Sequence, residues 1–302
     1  MTNAVNTEYF GIARKIVANM TSESWETVPH VCVTYEPEVS GFRDVLKEIN
    51  SSLAPADRIT VNTAMLKVIS EGLKACPKMN GHIEFNRRLV RGKVTTLENI
   101  DVSLPVMLKN GEMMTLNIRG IEKMSMPQIK RAVDDSIRRA DNSDMNEVMF
   151  EVSMDNTVQG LKKGKISQTV YRLIGSKTGA HKVHTLRGEK KRAYYSIPET
   201  ERLTKHDIEQ GTVTVSNMGS ICRGWRGECS VLEIIPPQLT AFGIGAMQKR
   251  PVCADDGSVR PGLILPITIA FDHRALDMGD IVPFMDKLDE IFAHPEILRE
   301  WL

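Results

Sequence analysis

The strongest constraint on the fold is an alternating apolar pattern between residues 100 and 118. Its first run places an apolar residue at every second position: Ile100, Val102, Leu104, Val106 and Leu108. Asn110-Gly111 follows, and the alternation resumes at Leu116 and Ile118. A period of two is that of a β-strand with one buried face, and an Asn-Gly pair between two such runs is a strong turn signal. The segment therefore predicts an antiparallel hairpin.

Helical and strand patterns are mixed along the rest of the chain. Apolar residues at helical spacing predict helices at residues 11–20, 40–49, 65–76, 127–140 and 280–292. Runs rich in β-branched residues predict strands at residues 29–39, 211–217, 230–235, 240–247 and 262–271. Pro266 predicts a bulge or an edge contact in the last strand. Because these elements do not follow a steady βαβ rhythm, the pattern favours an α+β fold, a mixed β-sheet with flanking helices.

Composition narrows the classes of partner. The chain has 302 residues and a formal net charge of +1, which argues against nucleic acid or a membrane surface. No apolar run approaches the ~20 residues that a transmembrane helix needs, and the first residues lack a signal-peptide pattern. A cytoplasmic location is therefore expected. The five cysteines include no C-x-x-C pair, which indicates reduced thiols and no metal site.

Residues 141–200 differ from their surroundings. Between Leu161 and Arg192 the chain has ten Lys or Arg residues and one acid, Glu189. Apolar residues are sparse there and show no sustained period. Two interpretations follow: a solvated, partly mobile insertion, or a basic patch for a phosphate-bearing ligand or an acidic partner. His181 and His184 lack carboxylate or thiol neighbours in the sequence, so this segment predicts no metal site.

Two polar clusters, each at the end of a predicted strand, are the candidates for chemistry. Walker, G-x-S-x-G and H-E-x-x-H motifs are absent from the sequence. The first cluster is TVSNMG at 214–219, and the second is DHRALDM at 272–278. A histidine can act as a general base, and a hydroxyl can donate a hydrogen bond to an oxyanion. A lone His-x-x-x-Asp pattern is more often structural, so spacing alone leaves both interpretations open.

The two clusters together resemble the catalytic domain of dihydrolipoyl acyltransferases, the core subunits of 2-oxo acid dehydrogenase complexes. The family signature D-H-R-x-x-D-G is similar to residues 272–278, and T-[IV]-S-N-x-G matches residues 214–219. Flanking segments agree as well: RKIVANM at 14–20, VPHVCVTYEPEV at 28–39 and IIPPQLTAFGIGA at 234–246. The resemblance covers most of the chain except residues 141–200.

The resemblance implies a chloramphenicol acetyltransferase-like fold and a homotrimer, or a larger cage of trimers, with each active site in a channel between subunits. It implies that His273 deprotonates the thiol of coenzyme A or of dihydrolipoamide. Ser216 of a neighbouring subunit would then donate a hydrogen bond to the tetrahedral oxyanion. Ser216 and His273 are therefore expected to lie far apart within one chain. Asp277 would order the loop, with Arg14 as its candidate partner. The remaining site-ordering positions are Asn217, Gly219 and Arg274.

The expected substrates and partners follow from the same resemblance. They are coenzyme A, as acyl-coenzyme A, and a lipoyl group supplied in trans, with 2-oxo acid dehydrogenase components or a lipoyl-carrying protein as partners and with no metal.

Departures from the family pattern leave an alternative open. Met278 stands where the family has glycine, with Gly279 one place later, and Asn19 replaces a basic residue. The family's lipoyl and subunit-binding arms are not seen, and 70 residues lie between Ala140 and Gly211. The sequence therefore predicts a single catalytic domain over residues 1–302 with an atypical basic insertion at about 141–200. The alternative is a structural or assembly subunit with the same trimeric fold and reduced or lost turnover. A nucleic-acid-binding module based on the insertion is a third hypothesis, which the lack of interleaved aromatic residues disfavours.

Overall fold

The computed structural model describes residues 5–109, 111, 113–162, 170, 171, 174, 182, 185–221, 227–254 and 256–302. The α-helices among them are α1 (Ile12–Thr27), α2 (Ser40–Ser51), α3 (Val61–Ala75), α4 (Met126–Asp141), α5 (Met145–Lys162), α6 (Gly188–Tyr195), α7 (Lys205–Ile208), α8 (Met218–Ile221) and α9 (Val282–Ala293). The strands are β1 (His30–Tyr35), β2 (Gly81–Asn86), β3 (Arg91–Thr96), β4 (Val102–Met107), β5 (Met113–Ile118), β6 (Val213–Asn217), β7 (Thr240–Ile244), β8 (Gln248–Cys253), β9 (Val259–Ile264) and β10 (Ile267–Asp272). Short 3₁₀ helices lie at Pro77–Met79, Ile121–Lys123, Met278–Ile281 and Pro295–Trp301.

Six strands form the central sheet in the order β1-β10-β7-β6-β4-β5. The β4–β6 and β6–β7 pairs are parallel, and the other pairs are antiparallel. Two separate hairpins, β2–β3 and β8–β9, extend from this sheet. The prediction of an α+β fold with a mixed sheet and flanking helices is confirmed.

The two faces of the sheet carry different side chains. On one face, large apolar residues such as Phe242 and Phe271 are fully buried, and Phe242 stacks on Phe284 of α9 at 5.3 Å between ring centroids. Cross-strand partners share a face of a sheet, so the register defines the opposite face as well. We call it the small-residue face, and it carries Cys32, Ser103, Thr214, Ser216, Ala241, Gly243, Thr268 and Ala270.

Residues 227–238 pass over the small-residue face, and we call them the crossing segment. Its Ile234 packs on Ala241 and Ala270. A Cβ placed on Gly243 would lie 3.6 Å from Leu232 and 3.8 Å from Cys229, so the glycine makes room for the segment. The prediction of a strand at 230–235 is wrong. These apolar residues contact a face of the sheet, and the backbone of Ile234 hydrogen-bonds to the side chains of Ser24 and His30 and to no strand ladder.

The expected strand at 262–271 is two strands. β9 ends at Ile264, β10 begins at Ile267, and Pro266 lies in the break. Proline has no N–H to donate to a ladder, while its carbonyl accepts the N–H of Gly245 at 2.8 Å. β9 pairs instead with β8. Sequence patterns missed β8 because QKRPVC combines charge with a proline.

The predicted hairpin is confirmed as the β4–β5 pair, with Val102 opposite Ile118. Gly111 has the positive φ of 83° that a tight turn requires, whereas Asn110 lies outside the described residues. The capping box of Ser125 and Gln128, which begins α4, is also present. Local side-chain chemistry therefore defines these two elements.

The described part of residues 141–200 forms helices that pack on the β4–β5 end of the sheet. Val148 of α5 and Tyr194 of α6 are buried in a small cluster with Leu116. The fully buried Glu147 accepts the N–H of Leu186 at 2.5 Å and the hydroxyl of Tyr195 at 3.2 Å. The two ends of the predicted insertion are thus ordered structure. Much of the basic stretch, with His181 and His184, lies outside the described residues.

None of the helices within the described ranges has the length and apolar character of a membrane span. The cysteines in this part of the chain, Cys32, Cys76, Cys229 and Cys253, are free thiols.

Candidate active site

His273 follows β10 directly, on a loop whose backbone is tied to the adjacent strand. Its N–H donates to the carbonyl of Pro29 at 3.0 Å. Its Nδ1 lies 3.2 Å from the carbonyl oxygen of Leu276 and 3.2 Å from a carboxylate oxygen of Asp277. Because a carbonyl oxygen only accepts, this hydrogen bond requires the proton on Nδ1, which leaves the lone pair of the neutral ring on Nε2. The side chain is 52% exposed, so the loop presents a histidine in the tautomer that a base needs.

Arg274 and Asp272 lock the start of this loop. Asp272 is fully buried, and its carboxylate accepts Arg274 Nε at 3.0 Å and the Arg274 backbone N–H at 2.9 Å. The Arg274 guanidinium also lies over the ring of Phe85 in β2, 5.8 Å from its centroid. A buried carboxylate without a partner is costly, so Arg274 stabilises the loop and joins it to the β2–β3 hairpin.

Asp277 interacts with His273, and the expected pair with Arg14 is not formed. Asp277 is 79% exposed, and its N–H donates to the Asp280 carboxylate at 2.8 Å. Arg14 is exposed and has no ion pair among the described residues. The reason is geometric: α1 ends just before Pro29, and the rise of a helix places Arg14 about 20 Å back from that end. A single chain therefore does not form the Arg14–Asp277 pair, and the pairing of these two residues stays a prediction.

Met278 occupies the corner after the loop without strain. No residue from 272 to 281 has a positive φ, so the corner requires no glycine. Met278 begins the 3₁₀ helix that leads into α9, and its side chain is 52% exposed. A Cβ on Gly279 would meet no atom within 4 Å. The corner therefore accommodates a bulky residue in place of the family glycine, because the side chain points into solvent.

Ser216 lies in β6, which confirms the strand predicted at 211–217 and whose side chains alternate between the two faces of the sheet. Val213 and Val215 are buried, whereas Thr214 and Ser216 are half-buried on the small-residue face. Ser216 is opposite Gly243 of β7 in the register. Within the part of the chain that the structure describes, the Ser216 hydroxyl has no hydrogen-bond partner. It is therefore available to donate to a ligand.

The residues after Ser216 determine how β6 ends. Asn217 Nδ2 donates to Asn62 Oδ1 at 3.0 Å, which joins the end of β6 to the start of α3. A Cβ on Gly219 would stand 2.6 Å from the carbonyl oxygen of Gly245. This separation is shorter than van der Waals contact allows, so the backbones can approach only because residue 219 is glycine.

His273 and Ser216 lie at opposite ends of the sheet within one chain. β6 is parallel to β7, which is antiparallel to β10, so the carboxyl ends of β6 and β10 point in opposite directions. Ser216 shares its register row with Gly243 and Thr268. From that row, His273 is five residues along β10 and two strands across, or about 19 Å. The expected wide separation within one chain is confirmed. We call the surroundings of Ser216 and of His273 the two half-sites, as candidates for one shared active site.

A model of the catalytic domain of the 2-oxoacid dehydrogenases acyltransferase family matches residues 3–153 and 191–299. The chain belongs to this family. The skipped residues, 154–190, lie inside the segment 141–200 that resembled the family least.

Individual members of the 2-oxoacid dehydrogenase acyltransferase family agree with this assignment. The acetyltransferase component of the Zymomonas mobilis pyruvate dehydrogenase complex is 22% identical over 283 residues, which are 93% of this chain and 48% of that protein. The chain thus spans about half the length of such relatives. A probable dihydrolipoamide acetyltransferase from Listeria monocytogenes has the same fold, with a TM-score of 0.66, 18% identity and 96% of each chain covered. The cubic core of a pyruvate dehydrogenase multienzyme complex gives a TM-score of 0.64 at 16% identity, covering 98% of this chain and 94% of that one.

Sequence reasoning about this acyltransferase-family chain did not single out two polar residues beside the half-sites, His30 and Gln238. The fully buried Gln238 accepts the Thr214 hydroxyl at 2.8 Å and donates to the Gly211 carbonyl at 2.8 Å. Both residues follow proline, in the Pro-His and Pro-Pro-Gln stretches of segments that resemble the family. The prolines before them were the sequence signal that could have identified both residues. No cluster of three or more potential metal ligands occurs in the described ranges.

Proposed function

We propose that this chain transfers an acyl group between coenzyme A and a thiol such as dihydrolipoamide, with His273 as general base and Ser216 as oxyanion donor. The observation that carries the proposal is the Leu276 carbonyl beside His273 Nδ1 at 3.2 Å. That contact assigns the ring proton to Nδ1 and leaves Nε2 ready to accept one. Asp277, on the same side of the ring, would stabilise the imidazolium.

The reaction would proceed through a tetrahedral adduct. The thiol proton moves to Nε2 of His273, and the thiolate attacks the carbonyl carbon of the acyl thioester. Negative charge then rests on the former carbonyl oxygen, which accepts the hydroxyl proton of Ser216 in a hydrogen bond. Collapse breaks the original carbon–sulfur bond, and the departing thiolate takes the proton back from Nε2. Both thiols are substrates, and no metal is required by this scheme.

The separation of the half-sites supports a site shared between subunits. About 19 Å within one chain is too far for His273 and Ser216 to act on the same thioester. A rotationally symmetric assembly repeats each interface, so every interface would bring one His273 to one Ser216. We propose a homotrimer, alone or within a larger cage such as the cubic core among the solved relatives.

Partners and domain organisation belong to the same proposal. The Zymomonas relative is a component of a pyruvate dehydrogenase complex, so we propose other 2-oxo acid dehydrogenase components or a lipoyl-carrying protein as partners, in the cytoplasm. We treat residues 1–302 as one catalytic domain with an insertion at about 141–200. The family match that skips residues 154–190 supports this boundary.

Acyl transfer from a panel of acyl-coenzyme A donors to dihydrolipoamide tests the chemistry. Loss of the general base in His273→Ala should lower kcat by ~10²–10⁴. Turnover that survives this substitution unchanged would exclude the mechanism. A wild-type protein that transfers no acyl group from any donor would favour the assembly-subunit alternative.

Mixed assemblies test the shared site. His273→Ala and Ser216→Ala chains, each inactive alone, would be co-expressed with different tags and purified through both tags. If each site uses one residue from each of two subunits, every trimer that carries both tags has both residues intact in about one third of its sites. Mixed assemblies that stay as inactive as the separate variants would show that both residues act within one chain, or that neither acts.

A further inference from the structure

His30 is a polar residue that the proposed mechanism does not use. It begins β1, directly opposite Asp272 in the antiparallel β1–β10 register. Its Nε2 accepts the backbone N–H of Ile234 at 3.0 Å. A nitrogen that accepts an N–H carries the lone pair, so this geometry requires a neutral ring with its proton on Nδ1.

The contacts of His30 hold one residue of the crossing segment from both sides. Ser24 is fully buried, and its hydroxyl donates to the Ile234 carbonyl at 2.7 Å while lying 3.2 Å from His30 Nε2. The Trp25 ring packs on the imidazole at 5.0 Å between centroids. Ile234 is itself fully buried and belongs to no strand. Buried backbone groups need partners, and here His30 and Ser24 supply them.

The crossing segment connects the surroundings of the two half-sites. Near Ser216 it places Cys229 and Leu232 over Gly243, and the Cys229 carbonyl accepts the Thr268 hydroxyl. At the other end, the carbonyl of Pro237 accepts an N–H from β2, the strand whose Phe85 lies under Arg274. The position of this segment therefore affects both the Ser216 row and the loop of His273.

We propose that neutral His30 is a positioning residue that holds the crossing segment on the small-residue face, and that protonation of His30 releases it. An Nε2–H⁺ would face the Ile234 N–H, so the two donors would repel each other. The release does not depend on the chemistry at His273, whereas its effect on turnover rests on the proposed acyl transfer.

The charges around His30 set the pH range of this release. Burial lowers the pKa of His30 from 6.5, and Arg274 acts in the same direction, whereas the Val28 backbone, Asp272 and Glu233 raise it. The unfolded chain thus binds the proton more tightly than the folded chain. The contribution of His30 to stability is complete above pH ~6.5 and is lost as the pH falls through the folded-state pKa.

Hydrogen exchange at the Ile234 amide tests the release without any enzyme assay. In the wild type, protection corrected for the intrinsic exchange rate should be high at pH 7.5 and fall as the pH drops below the ordinary histidine pKa of ~6.5. His30→Gln keeps an acceptor that does not titrate, so its protection should stay constant over this range. His30→Leu removes the acceptor and should lower protection about tenfold at every pH.

Two results would overturn the proposal: loss of protection in His30→Gln in parallel with the wild type, or full protection in His30→Leu. If His30→Leu does not fold, the comparison of wild type with His30→Gln still tests whether protonation of His30 releases the crossing segment. Fluorescence of Trp25 reports ring protonation independently, because a charged imidazole quenches an indole packed against it. The quenching should vanish in His30→Gln.

The turnover arm separates the two proposals. If acyl transfer is observed, its acid limb should move to lower pH in His30→Gln, with little change at pH 7.5. An unmoved acid limb would contradict the effect on turnover. If the wild type has no acyl transfer, the proposed function fails, and the exchange result stands or falls by itself.

Discussion

The loop that carries His273 is held by side chains, whereas the strand that carries Ser216 is held by its backbone. Around His273, the Arg274 guanidinium hydrogen-bonds to the buried Asp272 and lies over the Phe85 ring. Around Ser216, strand register places the hydroxyl, and the backbones pack closely at Gly219. The comparison teaches that the two candidate half-sites can fail for different physical reasons.

The largest effect should come from removing the charged clamp of the His273 loop. Arg274→Met leaves the fully buried Asp272 carboxylate without its partner, which should lower the free energy of unfolding by ~3–5 kcal/mol. Chemical denaturation measures this loss. The double variant Asp272→Asn with Arg274→Met removes the charge as well and should recover part of the stability. A single variant as stable as the wild type would mean that the clamp does not hold the loop.

Ser216→Ala should affect chemistry without affecting the fold. The hydroxyl has no partner in the described part of the chain, so the unfolding midpoint should stay within experimental error. Loss of one oxyanion donor should lower kcat by ~10²–10³. Steady-state kinetics and denaturation together would show a lowered kcat with an unchanged unfolding midpoint. A variant with unchanged kcat would remove Ser216 from the proposed mechanism.

Gly219→Ala should test the backbone contact behind Ser216. Its Cβ would stand 2.6 Å from the Gly245 carbonyl oxygen, and backbone must move to relieve the clash. We expect a loss of ~1–3 kcal/mol in the free energy of unfolding. Gly279→Ala is the matched control near His273, because a Cβ on Gly279 would meet no atom within 4 Å. Equal effects at the two glycines would contradict the comparison.

The smallest effect should be that of Met278→Gly, which restores the family residue. The corner needs no positive φ, and the methionine side chain is half exposed. Added freedom of the unfolded chain should cost ~0.5–1 kcal/mol of stability, with kcat unchanged. Calorimetry and the same kinetic assay measure both values. A large rise in kcat would show that Met278 itself limits turnover.

Several elements could be predicted because their causes are local. The β4–β5 hairpin follows from a period of two around Asn-Gly, and α4 follows from its capping box. The break at Pro266 was only partly predicted. A proline indicates that a strand is interrupted, but it does not indicate which strand each part pairs with. The crossing segment was misassigned because the same apolar residues suit a strand or a segment packed on a sheet face.

The sequence by itself determined the fold class, the family signatures and the residue types of both half-sites, because these depend on period, spacing and side-chain chemistry. Only the tertiary structure decided which contacts those residues make. The Leu276 carbonyl sets the tautomer of His273. Arg14 lies about 20 Å along α1 from the end that meets the His273 loop. His30 contacts the crossing segment. These outcomes depend on distances between segments remote in sequence, and chain packing sets such distances.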